Sequence, residues 1–246
     1  MPYLCEECWA GKTIEVCKYY SARYGKRSTR RENSKPSSDA VRKINERQAQ
    51  KKLRRLMNEN FRDKVDALVT LDFAPDRKPE SYGEMKRRTQ NFLQRLRRKY
   101  KRNGIPCRYI WVAEIGEKGG VHIHMMLNDV DSIGTAGLSE LWGEGATHVD
   151  ALWSGGQYGE IAKYFCKYAR KTEMATGVKL GRAWNPSHGL RQPRIRKRVI
   201  YRNAFRTKVK PKKGYHLQKD KNGTVVRTGV SEITGQEYMF YTMIRD

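Results

Sequence analysis

His122 and His124 stand one residue apart in the run Val121-His122-Ile123-His124-Met125. The run alternates histidine with apolar residues, so it reads as a strand. Strand side chains alternate faces, which sends both imidazoles to one side and Val121, Ile123 and Met125 to the other. Two neutral imidazoles on one face can ligate Mn²⁺ or Zn²⁺, or share Mg²⁺ with oxygen ligands. Glu114 adds a carboxylate on the preceding strand, with the parity of Ile110 and Val112. Glu117-Lys118-Gly119-Gly120 is the turn that makes the two strands a hairpin. If residue 116 pairs with 122, Glu114 faces His124. A two-residue turn at 118–119 would instead pair Glu114 with Ile123 and put it on the wrong face. The reading therefore requires an odd loop or a bulge. Asp72 is a rival third ligand. A His–His–acid set with open positions suits catalysis, because a substrate oxygen can join it.

A second group follows in Tyr164-Phe165-Cys166-Lys167-Tyr168-Ala169-Arg170-Lys171. At about 100° per residue, Tyr164, Lys167, Tyr168 and Lys171 share one helical face, while Ile161, Phe165 and Ala169 form a docking face beside it. The bland alternative is an amphipathic helix with boundary tyrosines. The two groups complement each other. A tyrosine can attack a DNA phosphate and remain bound as a phosphotyrosine. Its phenol ionises only near pH 10, so a neighbouring metal ion or lysine must help.

The surrounding elements have to place these side chains. A helix is expected over 39–59, capped by Ser38 or Asp39, with Val41, Ile44, Leu53, Leu56 and Met57 on one face. Residues 67–73 read as a central strand. Ser81-x-x-Glu84 has capping-box spacing and opens a helix to about Tyr100, with Met85, Phe92, Leu93, Leu96 and Tyr100 as its stripe. Strands at 108–115 and 121–128 make the hairpin. A weaker helix carries Leu138, Leu141 and Trp142, a strand follows at 148–153, and the tyrosine helix runs over 157–171. Beyond 195 the chain alternates basic and β-favouring residues, as a small β-rich appendage would. Residues 18–38 lack apolar periodicity and read as a basic arm. The expected division is an arm at 1–38, a central domain at 39–194 that holds both groups, and a basic extension at 195–246.

The chain carries 51 Lys and Arg against 26 Asp and Glu, a net charge of +25. Solubility needs only about 2–8 charges on a small domain, so the excess points to a polyanionic partner. Arg27 and Arg30 in the arm, Arg87, Arg95 and Arg98 on the helix flank, and Arg194, Arg196, Lys197 and Arg198 are the expected DNA contacts. No apolar run approaches the roughly 20 residues of a membrane span and no signal peptide is evident, so a cytoplasmic protein is expected. Cys5 and Cys8 form a CxxC pair followed by Cys17, but a zinc site takes four ligands and no second close pair follows. Reduced, unpaired thiols are expected.

Taken together, His122-Ile123-His124, Tyr164-x-x-Lys167 and Leu68-Val69-Thr70-Leu71-Asp72-Phe73 resemble the motifs of the HUH endonucleases, and within them the rolling-circle replication initiators of plasmids, phages and integrative elements. Asn45-Glu46-Arg47-Gln48-Ala49, Glu114-Ile115-Gly116 and Ser187-x-Gly189-Leu190-x-x-Pro193 extend the resemblance over about 20–200. It implies an α+β fold with a central antiparallel sheet of about five strands flanked by helices (HUH/RRM-like). It also implies a Mg²⁺ or Mn²⁺ ion held by His122, His124 and Glu114, and nicking of single-stranded origin hairpin DNA. The nick would leave a 3′-hydroxyl for host polymerase and a 5′-phosphotyrosine on the enzyme. Tyr168-x-x-Lys171 repeats the nucleophile motif one turn later, as in two-tyrosine phage initiators. Tyr164 is expected to attack first, with Tyr168 either a second nucleophile or a DNA-contacting ring. No G-x-x-x-x-G-K-[ST] is present, so unwinding would fall to a host helicase. A relaxase or transposase of the same superfamily would show similar motifs. A non-catalytic single-strand binder using basic grooves and the 14 tyrosines is the alternative of another class.

Overall fold

The computed structural model describes residues 2–21, 24–25, 39–116, 120–178, 180, 182–200, 208–219, 223, 225–232 and 234–246. In chain order the elements are β1 (Tyr3–Ala10), β2 (Thr13–Tyr20), α1 (Asp39–Asn60), β3 (Ala67–Asp72), α2 (Tyr82–Arg102), β4 (Tyr109–Ile115), β5 (Val121–Leu127), α3 (Gly134–Trp142), β6 (Thr147–Ala151), α4 (Gly159–Thr176), β7 (Asn185–Pro186), β8 (Arg194–Ile200), β9 (Tyr215–Leu217), β10 (Arg227–Val230) and β11 (Glu237–Arg245). The fold is α+β with two antiparallel sheets, in two units: Asn45–Arg191, and Met1–Ile44 together with Gln192–Asp246.

In the unit Asn45–Arg191 the sheet order is β6-β3-β5-β4-β7. The sequence β3-α2-β4-β5-α3-β6 with this order is the split βαβ arrangement of ferredoxin-like and RRM-like folds, extended by β7 at the β4 edge. Strand alternation divides the core. Val69, Leu71, Trp111, Ala113, Ile123 and Met125 face α2 and α3, where Phe92, Leu96, Tyr100, Leu138 and Trp142 complete one layer. Ile110, Val112 and Met126 face the other way and pack with Leu53 and Met57 of α1 and Phe165 and Ala169 of α4. A sheet covered on both faces explains why β4 and β5 are almost continuously apolar. The only carboxylate and imidazole side chains on them are those at the site. The stripe expected on α2 is buried as a set, and Ser81 caps that helix by accepting the Glu84 N–H at 3.1 Å. Glu84 returns its carboxylate to the N–H of Glu80 at 2.8 Å, one residue earlier than the capping-box pattern.

For residues 3–20 the other unit corrects the reading of 1–38 as an arm, while 22, 23 and 26–38 lie outside the described residues. Tyr3–Ala10 and Thr13–Tyr20 are a β-hairpin, closed by Gly11-Lys12 with Gly11 at φ 55°. A leading glycine with positive φ is what a tight hairpin turn prefers. β8 pairs with β1 and β11 with β2, giving the order β10-β11-β2-β1-β8 with β9 on β11. The tail is β-rich, yet it is no separate appendage, because its strands flank the N-terminal hairpin in one sheet. Cys5 and Cys8 are three apart on β1 and so point to opposite faces, where they cannot share a zinc ion. All five cysteines are free thiols. Ser38, Arg27, Arg30 and the side chain of Asp39 lie outside what is described. Among the described residues no helix is long and apolar enough to cross a membrane.

Candidate active site

Both histidines sit on the α1/α4 face of the sheet. The β4–β5 register pairs Glu114 with His122 and Val112 with His124, and the Gly116 N–H donates to the Gly120 carbonyl at 2.8 Å. The connection 117–119 thus has an odd number of residues, and Glu114 has the parity the sequence demanded. The register differs from the expected one by two residues: Glu114 lies across from His122, not His124. Its carboxylate still reaches His124 diagonally, with Oε2 2.9 Å from Nε2. Gly120 keeps the approach to His122 open, since a Cβ there would lie 3.1 Å from His122 Nε2.

Each imidazole is held through its other nitrogen. His122 Nδ1 lies 2.6 Å from Asp72 Oδ1, and His124 Nδ1 lies 3.2 Å from Thr70 Oγ1. Asp72 also reaches His148 on β6, with Oδ2 3.4 Å from Nε2. The backbone of Asp72 is fixed in turn. Its carbonyl accepts the Trp142 indole N–H at 2.8 Å and its N–H donates to Ala146 at 2.9 Å. Gly145 is required for this approach, because a Cβ there would fall 2.3 Å from the Asp72 carbonyl oxygen. Asp72 therefore stands behind His122 as its orienting carboxylate.

Helix α4 brings the second group over the same face. Phe165, Cys166 and Ala169 dock it. Thr172, fully buried, pins it to β4: its hydroxyl donates to the Ala113 carbonyl at 2.9 Å and accepts the Ile115 N–H at 3.1 Å. The Tyr168 ring then stacks on His124 with centroids 4.3 Å apart, and the Tyr164 ring stacks on Tyr168 at 6.3 Å. Lys171 Nζ bonds Glu114 Oε1 at 2.7 Å and lies 5.8 Å from the Tyr168 ring centre. Lys167 is exposed and Tyr164 is 50% exposed, while Tyr168 is half-buried. Of the two lysines, Lys171 is the one in contact with the acid.

The electrostatics favour ligation chemistry. Desolvation raises the Glu114 carboxyl, but the hydrogen bonds and charges of Lys171 and His124 outweigh it and hold it below the usual glutamate range. Desolvation lowers His124, only partly opposed by Glu114, which favours the neutral imidazole. Desolvation and then the Glu114 charge raise the Tyr168 phenol, with Lys171 offsetting part. A neutral imidazole and an ionised carboxylate are the forms that bind metal. Both Nδ1 atoms face oxygens, which leaves Nε2 as the nitrogen of each ring that could turn to a metal ion. Among the described residues no three His, Cys, Asp or Glu side chains are gathered as a ready metal cluster, and His124 Nε2 bonds Glu114 directly. The donor types and their supports nonetheless fit a divalent ion.

The expected DNA contacts are dispersed. Arg87, Arg95 and Arg98 lie on α2, across the sheet from the histidines, and Arg95 donates to the carbonyls of Leu141 and Trp142 at the end of α3. Arg194, Arg196 and Arg198 line one face of β8, while Lys197 turns to the other and pairs with the buried Glu6 at 3.3 Å. His148 and Thr172 were not singled out by the sequence, and Thr70 and Trp142 stood there only within a strand motif and a helix stripe, since their roles at the site depend on pairings between distant segments. Residues 66–173 match the family model of the replication-associated protein ORF2/G2P. That stretch contains both histidines, Asp72, Glu114, both tyrosines and both lysines. No curated protein and no solved structure matches the chain.

Proposed function

Starting from the match of residues 66–173 to the replication-associated ORF2/G2P family, which supports a replication-initiator role, we propose that the chain nicks and rejoins single-stranded origin DNA as a rolling-circle initiator. One observation carries this reading. Glu114, His124, Tyr168 and Tyr164 form a continuous cluster, joined by Lys171, on the sheet face under α4.

Tyr164 is the nucleophile in this reading because its ring is half exposed to an incoming strand, whereas Tyr168 is laid against His124. The Tyr164 oxygen forms a bond to phosphorus as the bond from phosphorus to the 3′-oxygen breaks. The phenol gives up its proton, and the departing 3′-oxygen takes one from solvent. The products are a 5′-phosphotyrosine and a 3′-hydroxyl that a host polymerase can extend, with a host helicase to unwind. Attack by that hydroxyl on the phosphotyrosine reverses the step and rejoins the strand. In this reading Lys167, one helical turn from Tyr164, binds the scissile phosphate. Lys171 keeps Glu114 anionic, and Tyr168 holds the His124 ring. His122, His124 and Glu114 would hold Mg²⁺ or Mn²⁺, which when bound supplies positive charge to the non-bridging phosphate oxygens.

The test is incubation with hairpin oligonucleotides tiled from the replicon that encodes the chain, with Mn²⁺ or with EDTA, followed by a denaturing gel and peptide mapping. The expected result is a metal-dependent covalent adduct on Tyr164, abolished in Tyr164→Phe and retained at reduced rate in Tyr168→Phe. A full-strength adduct in Tyr164→Phe would overturn the assignment. Tight binding with no cleavage of any oligonucleotide would make the protein a single-strand binder.

A further inference from the structure

Strand β8 directly faces β1, and the register sets Cys5, Glu7 and Trp9 opposite Arg198, Arg196 and Arg194. The six side chains share one face of the sheet. Lys212 reaches over them, bonding Glu7 at 3.0 Å and lying 4.7 Å from the Trp9 ring centre. Arg194 lies 5.7 Å from the same ring, and Arg198 is 3.9 Å from Glu7. Together Cys5, Glu7, Trp9, Arg196, Arg198 and Lys212 line a cavity of about 300 Å³ that opens to solvent. Three cations meet one carboxylate in it, so the cavity is net positive. Among the described residues Arg196 has no acidic partner.

We propose that this cavity is a second nucleic-acid site, which takes the backbone of single-stranded DNA one nucleotide at a time. A phosphodiester would sit among Arg196, Arg198 and Lys212, with its base or sugar against Trp9. Arginines present a planar fork suited to phosphate oxygens. An aromatic wall beside cations is the usual platform for unpaired bases, and it tolerates any sequence because every base has a π-face. The concave shape selects for a single strand, since a base held in a duplex stack cannot enter. Glu7 has a defined part: it holds Lys212 and Arg198 in place and weakens phosphate binding by its charge. This rests on the reading that the chain acts on single-stranded DNA, but it concerns binding and needs no Tyr164 chemistry.

The test is fluorescence anisotropy of labelled dT12 with the full chain in EDTA, so that no cleavage occurs, across a salt series. Lys212 lies outside the strands, so Lys212→Glu leaves the sheet hydrogen bonds untouched. It is expected to weaken binding at least fivefold and to flatten the plot of log affinity against log salt, each lost phosphate contact on a single strand removing about 0.7 from the slope. Glu7→Gln is expected to tighten binding about threefold, a change of opposite sign that general unfolding cannot produce. Trp9→Leu is expected to weaken dT12 but not to change the salt slope. Unchanged affinity and slope in Lys212→Glu and Glu7→Gln would overturn the proposal. So would displacement of dT12 by dTMP or inorganic phosphate at equal concentration, which would make the cavity a site for a free anion. A chain that passes these tests yet never nicks sinks the nicking reading alone; a chain that nicks but fails them sinks this site alone.

Discussion

Asp72 shows how much of the site is built behind the side chains that would touch substrate. Its carboxylate holds His122 at 2.6 Å and reaches His148 at 3.4 Å. A carboxylate behind a ligating imidazole fixes the ring and raises its basicity, and its loss typically reduces metal affinity by about 10–100-fold. Asp72→Asn keeps the shape and removes the charge. It is expected to lower Mn²⁺ affinity by that factor in calorimetry while leaving the thermal unfolding curve in place; affinity within twofold of the parent would remove Asp72 from ligand support. The thiols offer a separate check on burial. Desolvation pushes the Cys107 thiol up to about 12 and Cys166 up to about 11. Since the thiolate is the reactive form, both should resist iodoacetamide at pH 8 in the folded protein and react on unfolding, while half-buried Cys17 is modified first. Rapid labelling of Cys166 at pH 8, read by peptide mass spectrometry, would contradict the packing of α4. At this scale the sequence was informative where chemistry is local. That His122 and His124 share a face followed from alternation; that Glu114 joins them required an odd loop, which the sequence left open, and the register falls two residues from the expected one. The partnerships of Thr70 and His148 did not follow, because β3 meets β5 and β6 only through pairings 50 or more residues apart in the chain.

Between elements, the decisive contact is the one that seats α4 on β4. β7 is short and pairs with β4 only at Ile110 and Trp111. The Ala113 carbonyl and the Ile115 N–H lie further along the same edge, and Thr172 bonds both. One hydroxyl thus replaces a strand and fixes the register of the helix that carries Tyr164, Tyr168 and Lys171. Thr172→Val preserves volume and leaves two backbone groups without this partner. Losing a buried partner costs about 1–3 kcal/mol. The variant is expected to lose stability of that order in urea, with an unchanged dependence on denaturant, and to nick more slowly, whereas Thr172→Ser should restore both. Native stability in Thr172→Val would show that apolar docking alone seats α4. Helices α2 and α4 and strands β3, β4 and β5 were legible because their apolar periods are strong. The N-terminal hairpin was not. Its strands carry Glu6, Glu7, Glu15 and Lys18, which mask the alternation, and their pairing partners come from the far end of the chain. The Gly11-Lys12 turn was the local signal that could have found it.

At the scale of the whole chain, the candidate active site and the arginine-lined cavity occupy different units. Every member of the two hydrophobic clusters around the five-stranded sheet falls between residues 45 and 191, and so does every residue of the candidate active site. The cavity of Arg196, Arg198 and Lys212 belongs wholly to the other unit. A core that closes within one stretch of chain can fold without the rest. A fragment spanning 39–191, which keeps α1 intact, is therefore expected to unfold in one cooperative transition with the same probe-independent midpoint by fluorescence and circular dichroism. It should retain metal-dependent adduct formation on Tyr164 at high DNA concentration. Its affinity for single-stranded DNA should fall more gently with salt than that of the full chain, since phosphate contacts release fewer counterions when fewer cations engage. A fragment that folds and nicks with the parent's full salt slope would place the phosphate contacts on the 45–191 unit instead, and one that unfolds without cooperativity would show that this core depends on residues outside it.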